Sequence, residues 1–192
     1  MKNYAYFTGC AALRERLGEV WDGALECRET PEGGFSGCRL AVWDMTPERP
    51  YTRAETARAL SAMAGGVPFL LLPTRPVLPA PDEFSEAAAA AACAVLPRSY
   101  LRLLPQEGPV ARDLPAFEIQ AAPVLFRNST FVSRRRDFLA MEYDRVRENA
   151  LWAVPYGDGE AISAAWVMTP ALLSGPLETV FYRLALRARN RL

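Results

Sequence analysis

The segment Leu40-Ala41-Val42-Trp43-Asp44-Met45-Thr46-Pro47, with the helical stretch 53–64 and Gly65-Gly66-Val67-Pro68-Phe69-Leu70-Leu71-Leu72 behind it, decides how this chain is read. Four strand-forming apolar residues run into a carboxylate, and Pro47 prevents the strand from continuing. Thr52 stands where a helix N-cap is needed and Glu55 three residues later, the pattern of a capping box. Gly65-Gly66 ends the helix, and the unbroken apolar run that follows is that of a strand buried on both faces. A strand–helix–strand unit of this kind places Asp44 at the carboxyl end of a strand, where open α/β sheets locate their chemistry.

Working outward, Tyr4–Phe7 reads as a strand and Ala11–Trp21 as an amphipathic helix with Leu13, Leu17, Val20 and Trp21 on one face. Ala24–Cys27 reads as a short strand, and Pro31, Gly33, Gly34 and Gly37 mark a loop. Asp82–Cys93 reads as an alanine-rich helix, Ala94–Leu96 as a strand and Ser99–Leu104 as a short helix. The alternation predicts an α/β fold, a flavodoxin-like parallel five-stranded sandwich over residues 1–104. Residues 105–115, with three prolines, read as a linker, and residues 116–192 as a smaller α+β part. There, Phe117–Gln120 is a strand, 124–126 and 130–132 form a small hairpin, and Ser133 caps a helix reaching Asn149. Pro155–Gly159 is a turn, and Pro176 opens a last helix with Val180, Phe181, Leu184 and Ala188 on one face and Arg183, Arg187 and Arg191 on another.

The chain has 192 residues, no net formal charge and no histidine. Zero net charge argues against coating nucleic acid or anionic membrane through bulk charge. Without histidine, Ser-His and Cys-His nucleophile pairs and histidine metal ligands are excluded within the chain. Cys10, Cys27, Cys38 and Cys93 have no CxxC spacing and are expected to be reduced. The start lacks the charged segment and apolar core of a secretory leader, and no apolar run reaches the length of a membrane span. The expectation is a cytoplasmic protein with no membrane partner and no cofactor or metal.

The order strand, Asp44-Met45-Thr46-Pro47, helix, buried strand resembles the receiver domain of response regulators, in which a phosphorylated aspartate ends the third strand. Ala94-Val95-Leu96-Pro97-Arg98-Ser99-Tyr100 resembles that family's fifth strand and its lysine-proline pair, with Arg98 at the lysine position. Asp44, Thr74 and Arg98 then form the receiver-like site. Phe7-Thr8-Gly9-Cys10 stands where the family carries two acidic residues, and Pro73 displaces Thr74, so the resemblance implies a degenerate receiver without a magnesium site. The second part resembles a truncated winged-helix output region, which implies a possible duplex-DNA partner. Arg183, Arg187, Arg189 and Arg191 would supply phosphate and base contacts, or form the solvated face of an amphipathic helix. Receiver resemblance also implies a homodimer.

The leading expectation is therefore a non-catalytic regulatory or interaction protein. A rival resemblance is to nucleoside 2-deoxyribosyltransferase-like and TIR-like enzymes, with Glu55 as nucleophile at an anomeric carbon and Asp44 orienting the sugar or base; the alternative reading of Glu55 is the capping-box residue alone. A third reading is a structural scaffold made of a single α/β domain.

Overall fold

The structure, a computed structural model, describes residues 2–29, 34–80, 83–88, 91–96, 99–127 and 135–190. The first half follows the predicted alternation: β1 (Tyr4–Thr8), α1 (Ala11–Val20), β2 (Glu26–Glu29), β3 (Leu40–Asp44), α2 (Arg53–Ala64) and β4 (Phe69–Leu72). These four strands are parallel, in the order β2-β1-β3-β4. The capping box of α2 is formed at both ends, Thr52 Oγ1 accepting from Glu55 N at 3.2 Å and Thr52 N donating to Glu55 at 2.7 Å.

From β4 onward the fold departs from expectation. A short α3 (Glu83–Ala87) replaces the long alanine-rich helix, and β5 (Ala91–Val95) takes the rest of that run. The segment read as a helix from Ser99 is a strand, β6 (Ser99–Pro105), followed by β7 (Phe117–Ala121) and β8 (Val124–Arg127). The helix expected to reach Asn149 is instead a hairpin, β9 (Arg136–Tyr143) and β10 (Val146–Tyr156), and β11 (Gly159–Ala164) follows. A 3-10 turn (Pro170–Leu172) leads to α4 (Gly175–Arg189), and Val180, Phe181, Leu184 and Ala188 are buried. The second arm of the small hairpin, at 130–132, lies outside the described residues.

The sheet is accordingly not a five-stranded parallel sandwich. It has nine strands in the order β2-β1-β3-β4-β11-β10-β9-β6-β7, parallel as far as β11 and antiparallel beyond it, with β5 and β8 paired separately. The place beside β4 that a five-stranded sandwich gives to the next strand in sequence is taken by β11, which pairs Ala161 with Phe69 and Ser163 with Leu71. Strands on both sides of residues 105–115 thus belong to one sheet and one hydrophobic cluster.

Two physical features hid the β9–β10 hairpin. Its middle is central in the sheet and buried on both faces, as in Phe138–Met141 and Ala150–Val154, so the period-two pattern is lost. Its two-residue turn, Asp144-Arg145, has φ of 44° and 69°, a turn usually announced by Asn-Gly or Asp-Gly. By contrast, the Gly157-Asp158-Gly159 turn joining β10 to β11 needs its glycines. A Cβ on Gly159 would lie 2.2 Å from the Met63 carbonyl at the end of α2.

The β1→β2 and β3→β4 crossovers run outward in opposite directions, and right-handed crossovers then put α1 and α2 on opposite faces. α1 is clasped to α4: the Trp21 indole donates to the Phe181 carbonyl at 2.8 Å, and Arg16 donates to the Leu173 carbonyl and to Glu178. On the other side, Trp43 stacks on Phe84 at 4.7 Å and touches the Phe69 ring edgewise. Among the described residues no helix is long and apolar enough to cross a membrane.

Candidate functional site

Opposite crossovers from adjacent strands leave a crevice at the carboxyl ends of β1 and β3. In this chain the crevice is a cleft of about 620 Å³. It is walled by Thr8, Gly9 and Cys10 at the end of β1, Asp44, Pro47, Glu48, Arg49, Tyr51 and Glu55 from the end of β3 onward, Thr74 and Arg75 after β4, and Met168 to Pro170 after β11. The last wall is held by Met168 N donating to the Pro73 carbonyl at 2.7 Å.

Asp44 is the hub of the cleft floor and is only 4% exposed. Its Oδ1 accepts the Thr46 N–H at 2.9 Å, an Asx turn that bends the chain out of β3, and its Oδ2 accepts the Thr74 hydroxyl at 2.7 Å. The Thr46 hydroxyl accepts the backbone N–H groups of Thr74 and Arg75, both at 2.9 Å, and donates to Asp44 at 3.4 Å. Its one donor and two acceptor sites are thereby filled. Arg75 Nε donates to the Thr46 carbonyl at 2.6 Å, and Nη2 to that of Pro47. The loops after β3 and β4 are in this way laced into one unit. Burial pushes the Asp44 carboxyl up, against the opposing effect of the hydrogen bonds from Thr74 and Thr46.

Gly9 makes this approach of β1 to Asp44 possible. Its φ is +139°, and a Cβ there would sit 3.1 Å from Asp44 Cβ and Oδ2. Tyr51 closes the side of the cleft, its ring 3.9 Å from that of Trp43 and its hydroxyl donating to Thr8 Oγ1 at 3.2 Å. Burial drives the Tyr51 phenol well above its ordinary range. Glu55 is at the rim. The Arg49 guanidinium, with the Thr52 N–H and hydroxyl, holds its carboxyl down to about 2.

Asp44, Thr74 and Glu55 therefore come together in one cleft. Arg98 and Arg191 lie outside the described residues. Arg183, Arg187 and Arg189 do not form a free basic row. Arg183 donates to the Arg112 carbonyl at 2.7 Å and Arg189 to that of Gly23 at 3.4 Å. Arg187 is mostly withdrawn from solvent, its guanidinium paired bidentately with the buried Glu160, with Nη2 to Oε2 at 2.8 Å. Part of the donor capacity of these arginines thus goes to the fold's own acceptors, while Arg183 stays half-buried and Arg189 exposed. All four cysteines are free; burial raises the Cys27 and Cys38 thiols to about 11, while Cys10 is exposed at the cleft.

Sequence reasoning missed Thr46, Tyr51, Arg75 and the Met168–Pro170 wall. Thr46 carried a local signal, a hydroxyl residue two positions after a strand-ending aspartate. The wall from residue 168 had none, since it arrives by tertiary packing.

No protein-family model matches the sequence, and no curated protein matches it. Solved structures do match in fold. A ThuA-like protein from Parabacteroides merdae is 14% identical, with a TM-score of 0.69 over 99% of this chain and 90% of that one. A cytoplasmic protein from Salmonella typhimurium is 9% identical, with a TM-score of 0.67 over 99% of this chain and 100% of that one. A cold-adapted β-galactosidase from Rahnella is 11% identical, with a TM-score of 0.69; it is matched over 97% of this chain but only 31% of its own length. These neighbours replace the receiver resemblance, and the mixed nine-stranded sheet explains why: only the β2-β1-β3-β4 corner follows the receiver pattern. The response-regulator and transcription-regulation reading is withdrawn with it.

Proposed function

We propose that the protein is a non-catalytic interaction protein that holds a small, neutral, hydroxyl-rich ligand of the carbohydrate class in the switch-point cleft. The observation that carries this reading is the make-up of the cleft. Hydroxyls of Thr8, Tyr51 and Thr74 surround a buried carboxylate, with Arg75 and Arg49 set against Asp44, Glu48 and Glu55. Near-balanced charge suits a neutral ligand, and carboxylates beside guanidinium groups suit vicinal hydroxyls, which both donate and accept. A segment of a β-galactosidase, an enzyme named for a carbohydrate substrate, shares this fold and is compatible with that ligand class.

Support for a binding role over catalysis comes from how the candidate groups are occupied. Glu55 already accepts from Thr52 and Arg49, and both Asp44 oxygens are bonded. These bonds hold both carboxylates in fixed positions, with lone pairs left on Asp44 Oδ2 and Glu55 Oε1 to accept from ligand hydroxyls.

The test is a thermal-shift and calorimetric screen of mono- and disaccharides against the wild type and Gly9→Val, whose side chain projects at Asp44. At a hundredfold excess over Kd, a ligand specific for the folded state adds about 2.7 kcal/mol. For a chain of this size that is a rise of roughly 5–10 °C in Tm. Saturable binding by the wild type, lost in Gly9→Val, supports the proposal; no shift with any sugar overturns it. One observation favours a second reading as a glycosyl-transfer enzyme: Asp44 and Glu55 share the cleft, one carboxyl raised and the other lowered. Cleavage of nucleosides that is abolished in Glu55→Gln is its required result.

A further inference from the structure

Among the described residues β7 pairs with β6 alone and ends the antiparallel side of the sheet. A sheet edge is a template for another strand, and proteins that stay single blunt it with charge, proline or bulges. The opposite edge, β2, is blunted: it reads Glu26-Cys27-Arg28-Glu29, and Arg28 is held between Glu26 and the Tyr4 ring. β7 reads Phe117-Glu118-Ile119-Gln120-Ala121, with one charge, no proline and an unshifted register to β6. Beside it on β6, opposite Gln120, Tyr100 is 66% exposed.

We propose that β7 is a homodimer interface, in which two copies pair antiparallel about a two-fold axis through Ile119. This proposal is independent of the cleft and its ligand. In that register the sequence of β7 is complementary to itself. Ile119 meets Ile119 of the partner subunit, Phe117 meets Ala121 of the partner subunit, and Glu118 meets Gln120 of the partner subunit. A carboxylate then faces an amide that can donate to it, twice by symmetry. A register centred on Glu118 would set two carboxylates directly opposite each other. A slip of one residue would turn the face carrying Ile119 and Ala121, 9% and 7% exposed, to the wrong side. In the proposed register the outer face continues an existing row: Glu142 pairs with Arg102 at 3.6 Å, Arg102 stands opposite Glu118, and Gln120 and Tyr100 of the partner subunit extend it. One five-residue strand per subunit makes a small interface, so the dimer is concentration-dependent.

The experiment uses the full chain with Cys10→Ser and Cys93→Ser, which removes its exposed thiols. Glu118→Cys and Gln120→Cys are prepared separately and oxidised alone and as a mixture. Positions 118 and 120 face each other only across the axis, so a covalent dimer is expected in the mixture and not in either variant alone. Sedimentation equilibrium of the parent chain is expected to weaken roughly two- to thirty-fold in Kd on Gln120→Glu, from two new like-charge pairs. Both positions are exposed, so the variants should fold, and their Tm is checked against the parent. A mixture that crosslinks no better than the single variants, or a parent chain that is monomeric at every concentration, overturns the proposal.

Discussion

Arg187→Ala distinguishes a structural arginine from one that waits for a nucleic acid. Arg187 and Glu160 have side chains only 13% and 4% exposed, and the guanidinium also lies 5.4 Å from the Phe138 ring. Removing the arginine leaves the carboxylate of Glu160 inside the protein without its guanidinium. Breaking one side of a buried pair costs about 3–5 kcal/mol. At roughly 2–4 °C per kcal/mol for a chain of this length, Tm should fall by roughly 6–20 °C. Glu160→Gln should cost less, since Arg187 lies nearer to solvent. The double variant Glu160→Met/Arg187→Met should recover part of the loss, because replacing both partners by apolar groups removes the buried charge itself. The assay is thermal unfolding by circular dichroism, closed as a double-mutant cycle. An Arg187→Ala protein that melts within about 2 °C of the wild type, well under the cost of breaking a buried pair, would refute this account of the pair.

The low carboxyl of Glu55 predicts a pH signature. Its folded value of about 2 lies below its ordinary 4.5, so its contribution is full above that ordinary value and is lost as pH falls toward 2. The Tm gap between wild type and Glu55→Gln should therefore be largest near neutrality and close in that acid window; a gap constant with pH would contradict it. Because β6 and β7 lie in the same sheet as β9 to β11, the chain should unfold in one cooperative calorimetric transition, and a fragment ending at residue 104 should fail to fold. Two separated transitions, or a folded fragment, would support a boundary at 105–115.

The parts of this protein legible in its sequence are those whose causes are local. Leu13, Leu17 and Val20 repeat at helical spacing, Thr52 and Glu55 cap their own helix, and Asp44 closes the strand that precedes it; α1, α2, β3 and one wall of the cleft could be read for that reason. The remainder depends on partners far away along the chain. β11 enters beside β4 about 90 residues later, β9 and β10 are buried on both faces and so carry no period, and their turn lacks the usual glycine. Arg187, on a face that reads as solvated from its helical spacing, is mostly withdrawn from solvent because Glu160 of β11 comes to meet it. Local conformational preference is written in neighbouring residues, whereas burial and pairing depend on which distant strand occupies the next place in the sheet. Tertiary structure decided that, and with it the nine-stranded sheet, the far wall of the cleft and the pairing of Arg187 with Glu160.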